Sequence, residues 1–187
     1  MTGTRGRVKI EGCIAWLTGL SAAGKTTLAA ELSAALAARG VAHQVLDGDR
    51  LRTTICRDLG FTRADREENV RRICRLAVAE AEQGAVVLVA AIAPYRCVRD
   101  ELRSGSPVPF FEVFVDAPLA VCEQRDPKGL YRRARAGELK GFTGIDDPYE
   151  TPQSPDVHCR TDIETVVESC ARVLALLEPW TTPWTTR

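Results

Sequence analysis

Gly19-Leu20-Ser21-Ala22-Ala23-Gly24-Lys25-Thr26, followed by Thr27, fits the pattern G-x-x-x-x-G-K-[ST]. That pattern carries weight only between a strand and a helix. Upstream, Cys13-Ile14-Ala15-Trp16-Leu17-Thr18 is an apolar run of strand length bounded by Gly12 and Gly19. Downstream, Leu28, Leu32 and Leu36 recur at helical spacing and Gly40 ends the run, as an amphipathic helix requires. Strand, glycine loop and helix together aim backbone N–H groups and a helix N-terminus at phosphate. Gly19 to Thr27 is thus a nucleoside triphosphate loop, with Lys25 reaching the β- and γ-phosphates and the Thr26 hydroxyl on Mg²⁺.

Working outward, Val41 to Leu46 reads as a second strand that delivers Asp47-Gly48-Asp49, two carboxylates at a strand's C-terminal end, where open α/β sheets bind ligands. A short helix is expected within 50–60. Thr62-Arg63-Ala64-Asp65 fits a capping box, and the helix it opens runs to about Gln83. Its expected inner stripe is Val70, Ile73, Leu76, Ala77 and Ala81, which Arg66 and Asn69 extend toward the N-terminus. Polar groups there should sit at the rim of whatever the helix covers.

Residues 85–92 are apolar throughout, the mark of a central parallel strand buried on both faces. A helix over 96–103, a strand over 110–115 ending at Asp116, and a helix after Pro118 follow. Residues 125–140 contain Arg125, Lys128, Arg132, Arg133, Arg135 and Lys140 against Asp126 and Glu138. Beside a triphosphate site, such a run reads as a lid that closes over phosphates, about 125–146. A strand at 157–159 and a helix through Leu177 complete the pattern. Thr161 or Asp162 is expected to cap that helix, with Val166, Val167, Cys170, Val173, Leu174 and Leu177 inward. The fold class is α/β: a single-domain P-loop kinase fold, a parallel sheet with helices on both faces and a basic lid. Residues 1–12 form a flexible lead-in, 13–178 the domain, and 179–187 a tail repeating Pro-Trp-Thr-Thr.

Composition narrows the function. The chain has 187 residues, enough for one well-buried core. Twenty-five basic and twenty-five acidic residues cancel, so no global field recruits nucleic acid or a membrane surface. No run reaches the ~18 apolar residues of a membrane span, and 1–11 lacks the apolar core of a secretory signal. Seven cysteines without a C-x-x-C read as small buried hydrophobes in a reducing cytoplasm, and with only His43 and His158 present histidine-based nucleophile or metal schemes have little material.

A P-loop serves switches, motors and kinases, so the acceptor side decides. There is no [NT]-K-x-D guanine-reading motif. The 85–92 strand ends in Ala90, Ala91 and Ile92, followed by Ala93, and the Mg²⁺-organising carboxylate missing there can be supplied by Asp47 or Asp49 from the neighbouring strand. Asp116 is a competing candidate, with a helix-capping role before Pro118 as its other reading. The paired aspartates and basic lid point to phosphoryl transfer onto a small molecule.

In order and spacing, several blocks resemble the adenylylsulfate (APS) kinase family. They are Gly19–Thr27, Leu46–Asp49, Asp58–Phe61, Asp65–Asn69, Ile92–Arg96, Phe114–Pro118, Arg125–Tyr131 and Ala134–Asp146, and the likeness spans about 11–178. It implies ATP- and Mg²⁺-dependent phosphorylation of the 3′-hydroxyl of APS to give PAPS. Phe61 and Phe142 would stack on the APS adenine. Arg52, Arg66, Asn69, Ile92, Ala93, Lys128 and Gly141 would hold the rest of that substrate. Arg125 would lie near the ATP base and phosphates, and Asp49 would orient or accept the proton of the attacking hydroxyl. Aromatic faces suit a purine, and guanidinium forks suit a mixed anhydride. Family members are often dimeric, so a homodimer is compatible with the likeness, although no apolar stripe marks an interface.

Three positions depart from the family pattern. Ala93 stands in place of a serine, Ala22 in place of a glycine, and Arg50 in place of an asparagine. They leave open a kinase for a different small acceptor, or a non-catalytic nucleotide-binding partner in a sulfate-activating complex.

Overall fold

The structure, a computed structural model, describes residues 12–181. The expected lead-in, apart from Gly12, and the last six residues of the expected tail lie outside that range.

The first strand, β1 (Cys13–Thr18), is buried along its whole length. Because successive side chains of a strand point to opposite faces, β1 serves two cores. Cys13, Ala15 and Leu17 pack on one side with Leu28, Leu32 and Leu36 of α1 (Lys25–Ala38). Ile14 and Trp16 pack on the other. The chain continues through β2 (His43–Asp47), α2 (Gly48–Arg52), α3 (Arg63–Ala81) and β3 (Val86–Ala90). Then come α4 (Arg96–Gly105), β4 (Phe110–Asp116), α5 (Leu119–Arg125), α6 (Leu130–Arg135), β5 (Val157–Arg160) and α7 (Val166–Thr181). The strands form one parallel sheet in the order β2-β3-β1-β4-β5. Helices α1 and α7 cover one face, and α3 and α4 the other.

The α3 capping box is present in both halves: the Thr62 hydroxyl accepts from Asp65 N, and the Asp65 carboxylate accepts from Thr62 N. Arg66 and Asn69 are buried on the same stripe as Val70 and Ile73, as their spacing requires. β3 is buried throughout but stops at Ala90, earlier than its apolar run.

The last helix differs from expectation. Its cap is Thr165, not Thr161 or Asp162. Thr165 and Glu168 form a reciprocal pair, Glu168 N donating to Thr165 Oγ1 and Thr165 N to Glu168 Oε2. Val166 and Val167 fall in the first turn of the helix and are exposed at 36% and 64%, Val166 lining the cleft described below, while Ser169 is buried. The helix also runs past Leu177 to Thr181, and Trp180 packs edge-on against Phe111 at 4.9 Å. No helix among the described residues is long and apolar enough to cross a membrane.

Candidate active site

The sheet register sets the C-terminal ends of three strands side by side. Leu17 of β1 and Asp47 of β2 both pair with Ala90 of β3. Above these ends opens a cleft of about 850 Å³.

The loop after β1 forms its floor. Gly19 sits at φ 153°, and a Cβ there would lie 2.0 Å from the Val115 carbonyl oxygen, so the loop turns where only glycine fits. Lys25 folds back over the loop and donates from Nζ to the carbonyls of Gly19 (2.9 Å) and Leu20 (2.7 Å). Burial lowers its ammonium to about 8, against the pull of nearby Asp49. Ser21, Ala22, Gly24, Lys25, Thr26 and Thr27 line the cleft. Gly19, Leu20 and Ala23 shape the loop instead: the first two hold Lys25, and Ala23 O accepts from Thr161 Oγ1 (2.7 Å). Ala22 adopts φ 59°, inside the small left-handed region open to L-residues. Alanine is accommodated there at a cost of roughly 1–2 kcal/mol.

Asp47 has two tasks. Its Oδ1 caps α2 by accepting from Asp49 N (3.0 Å) and Arg50 N (3.1 Å), while Oδ2 accepts from Thr26 Oγ1 (3.1 Å). A hydroxyl and a carboxylate in contact beside a phosphate loop are the hard oxygen donors Mg²⁺ takes, with further ligands from phosphate and water. No cluster of three or more acidic, His or Cys side chains suited to a metal occurs among the described residues, and a phosphate-bound Mg²⁺ needs none. Asp116 belongs elsewhere: its carboxylate pairs with His158 Nε2 at 2.8 Å, and the α5 N-terminus has no side-chain cap.

The opposite wall holds every acceptor residue expected from the sequence, from Arg52, Phe61, Arg66 and Asn69 to Ile92, Ala93, Lys128, Gly141 and Phe142. Phe61 is 62% exposed, with the Arg52 guanidinium 4.8 Å from its ring centroid and that of Arg66 at 5.5 Å. Phe142 rests edge-on against Tyr131 at 5.0 Å. Asn69 Oδ1 and Thr143 Oγ1 on this wall are buried without a hydrogen-bond partner among the described residues, an arrangement that disfavours an empty site. Lys128 reaches across to form an ion pair with Asp49. Of the six basic lid residues, Arg125, Lys128, Arg133 and Lys140 line the cleft; Arg132 does not, and Arg135 turns outward to Glu123.

Arg125 closes the far end, donating to Ala22 O, Thr161 Oγ1 and Thr161 O. Thr161, Glu164, Val166 and Ser169 line that end too and were not expected there. Their signal was position, since they follow the C-terminal end of β5, the side of the sheet on which ligands bind.

The sequence profile of the family described as adenylylsulphate kinase matches residues 11–160. The chain belongs to the adenylylsulphate kinase family. It is 56% identical over 166 residues to the adenylyl-sulfate kinase of Microcystis aeruginosa, covering 89% of this chain and 91% of that one. Among solved structures, the APS kinase CysC of Mycobacterium tuberculosis, in complex with AMPPNP and APS, superposes with a TM-score of 0.86 at 45% identity. That match covers 90% of this chain and 98% of the other. A gluconokinase from Sinorhizobium meliloti, 19% identical with a TM-score of 0.59 over 92% of this chain and 95% of its own, shares the fold.

Proposed function

We propose that this adenylylsulphate kinase family member transfers the γ-phosphoryl group of ATP to the 3′-hydroxyl of APS, giving PAPS and ADP. The observation that carries the reading is one continuous cleft with a triphosphate loop on its floor and an aromatic, cationic wall opposite.

ATP would lie with its phosphates over Gly19 to Thr27 and its base toward Arg125, Thr161 and Val166. Thr26 and Asp47, with Asp49 nearby, would hold Mg²⁺, which neutralises phosphate charge when bound. The APS purine would enter between Phe61 and Phe142, its anhydride facing Arg52, Arg66 and Lys128, with Asn69, Ile92, Ala93 and Gly141 closing around the sugar and base. Transfer of this kind needs alignment and charge stabilisation more than covalent chemistry. Lys25 and the loop amides would stabilise the γ-phosphoryl as its bond to the β-phosphate oxygen breaks. Asp49 would take the proton of the 3′-hydroxyl as that oxygen bonds to phosphorus. Lys128, which pairs with Asp49 in this structure, would exchange that carboxylate for the incoming acceptor anion.

Purified protein given ATP, Mg²⁺ and APS should form ADP and PAPS in equal amounts. Bound ATP without turnover at micromolar APS would leave only a nucleotide-binding protein. Ala93 and Ala22 do not remove a charged group from this scheme. A panel of other alcohol acceptors that outpaced APS would instead favour a different substrate.

Phe61→Ala should raise KM for APS about ten- to a hundredfold, since a base–aromatic stack contributes about 1–3 kcal/mol. ATP affinity should stay unchanged, because Phe61 is on the acceptor wall. An unaltered KM for APS would remove the stacking role.

Lys25 also predicts a pH dependence. Its ammonium sits near 8 in this structure, and a bound polyphosphate would favour the charged form. Above about pH 8, nucleotide binding should take up as much as one proton, and affinity should fall with rising pH, by at most tenfold per unit. Calorimetry at pH 8.5 in two buffers of different ionisation enthalpy reads that uptake; identical heats would contradict it.

A further inference from the structure

Arg66 lies 81 positions before Asp147 in the chain, yet the two meet at the acceptor wall. The Arg66 Nε is 3.4 Å from Asp147 Oδ2 and also donates to Phe61 O at 3.1 Å. Its Nη2 donates to Gly141 O. Among the described residues Nη1 has no protein partner, so the guanidinium is gripped along one edge and offers the other to the cleft. Arg52 is held more loosely, through its Nη1 on the carbonyls of Gly60 (2.6 Å) and Leu59 (3.5 Å).

Asp147 is a junction of three segments. Besides facing Arg66 of α3, its carboxylate accepts from Tyr95 Oη at 3.1 and 3.3 Å, on the turn after β3. Its backbone fixes the loop that carries Phe142: Asp147 N donates to Phe142 O, and Asp147 O accepts from Gly144 N at 2.8 Å. The Asp147 side chain is 22% exposed and that of Arg66 10%, so the pair is shielded from most of the solvent. A partly shielded carboxylate beside the Nε of a guanidinium whose Nε and Nη2 are held by two carbonyls favours that one placement of the cation.

We infer that Asp147, supported by Tyr95, is a positioning residue for the acceptor: it holds Arg66 aimed at the anion and ties that arginine to the loop bearing Phe142. The inference rests on the acceptor site proposed above. No atom of Asp147 need touch the substrate, and its effect should pass through Arg66.

Asp147→Asn keeps the shape and removes the charge. KM for APS should rise about tenfold, within the range seen for coupled neighbours. The value of kcat should stay within about twofold, and the Kd of a non-hydrolysable ATP analogue should not move. Tyr95→Phe should shift KM the same way by a smaller factor, and it serves as the readout if Asp147→Asn folds poorly. Arg66→Ala is the second arm. If it leaves KM for APS unchanged, the acceptor site itself is wrongly placed. If it raises KM while Asp147→Asn and Tyr95→Phe do not, the positioning role is overturned and the site stands. The decisive comparison combines the two: in the Arg66→Ala background, Asp147→Asn should alter KM by less than about twofold. A full tenfold effect in that background would mean that Asp147 acts without Arg66, and would also overturn the inference.

Discussion

Replacing Lys25 with alanine should lower kcat for PAPS formation by about a thousandfold or more while leaving the protein folded. Removing a single well-placed donor to a developing anion costs about a hundred- to a thousandfold, and Lys25 adds a full charge in a half-buried setting. Two carbonyls of its own loop, Gly19 O and Leu20 O, hold its ammonium, so it is oriented before any nucleotide binds. Those contacts are replaceable by water or phosphate, and none belongs to the core, so the melting temperature should change little. The assay is single-turnover transfer at saturating ATP and APS. A Lys25→Ala protein within tenfold of the parent would dismiss the charge-stabilising role. Lys25→Arg is a useful companion, because a planar, bulkier fork cannot reproduce a compact ammonium that donates to two adjacent carbonyls; it should recover only a small part of the rate.

The second large effect is expected at Asp49. Positioned acid–base groups typically contribute about a hundred- to ten-thousandfold, so Asp49→Asn should reduce kcat by about that range with KM for ATP nearly unaltered. Asp49 is suited to a separable test because its side chain does not carry the local fold. The α2 cap and the bond to Thr26 both belong to Asp47, and among the described residues the Asp49 carboxylate, 72% exposed, forms its ion pair with Lys128. Asparagine keeps the shape and loses the proton acceptor. An Asp49→Asn enzyme with nearly full kcat would transfer the proton-accepting role to another group. Asp47→Asn provides the contrast: it should weaken the α2 cap and the Thr26 contact together, and so disturb nucleotide binding as well as rate.

What the sequence discloses follows the range of the interactions. The loop, the strand before it and the α3 cap are written within a few residues of each other, so Gly19–Thr26 and Thr62–Asp65 read correctly from spacing alone. The buried placement of Arg66 and Asn69 is legible for the same reason, since a helical stripe repeats locally. The α7 start is legible as well, since Thr165 and Glu168 have the same capping spacing as Thr62 and Asp65; the exposure of Val166 and Val167 in its first turn is not, because a stripe's spacing does not say where along a helix its cover ends. Other features depend on partners distant in the chain. That Thr161 lines the cleft depends on β5 pairing with β4. That Asp147 meets Arg66 depends on its segment returning to the turn after β3, where Tyr95 Oη donates to Asp147 and Glu150 N donates to Pro94 O. Ala22 is a third kind of case: its departure from glycine is plain in the sequence, but its φ of 59° emerges only from the folded loop.

The ion pair between Lys128 and Asp49 has a bearing on what happens when ATP occupies the cleft alone. On the scheme proposed here, the carboxylate that would strip a proton from the nucleophile is already neutralised by an ammonium from the lid. A stray water beside the γ-phosphoryl then meets no unencumbered base, and futile hydrolysis is restrained until a competing anion draws the lysine away. Selectivity for the right acceptor would in this way reside partly in the resting enzyme, through what it withholds from water.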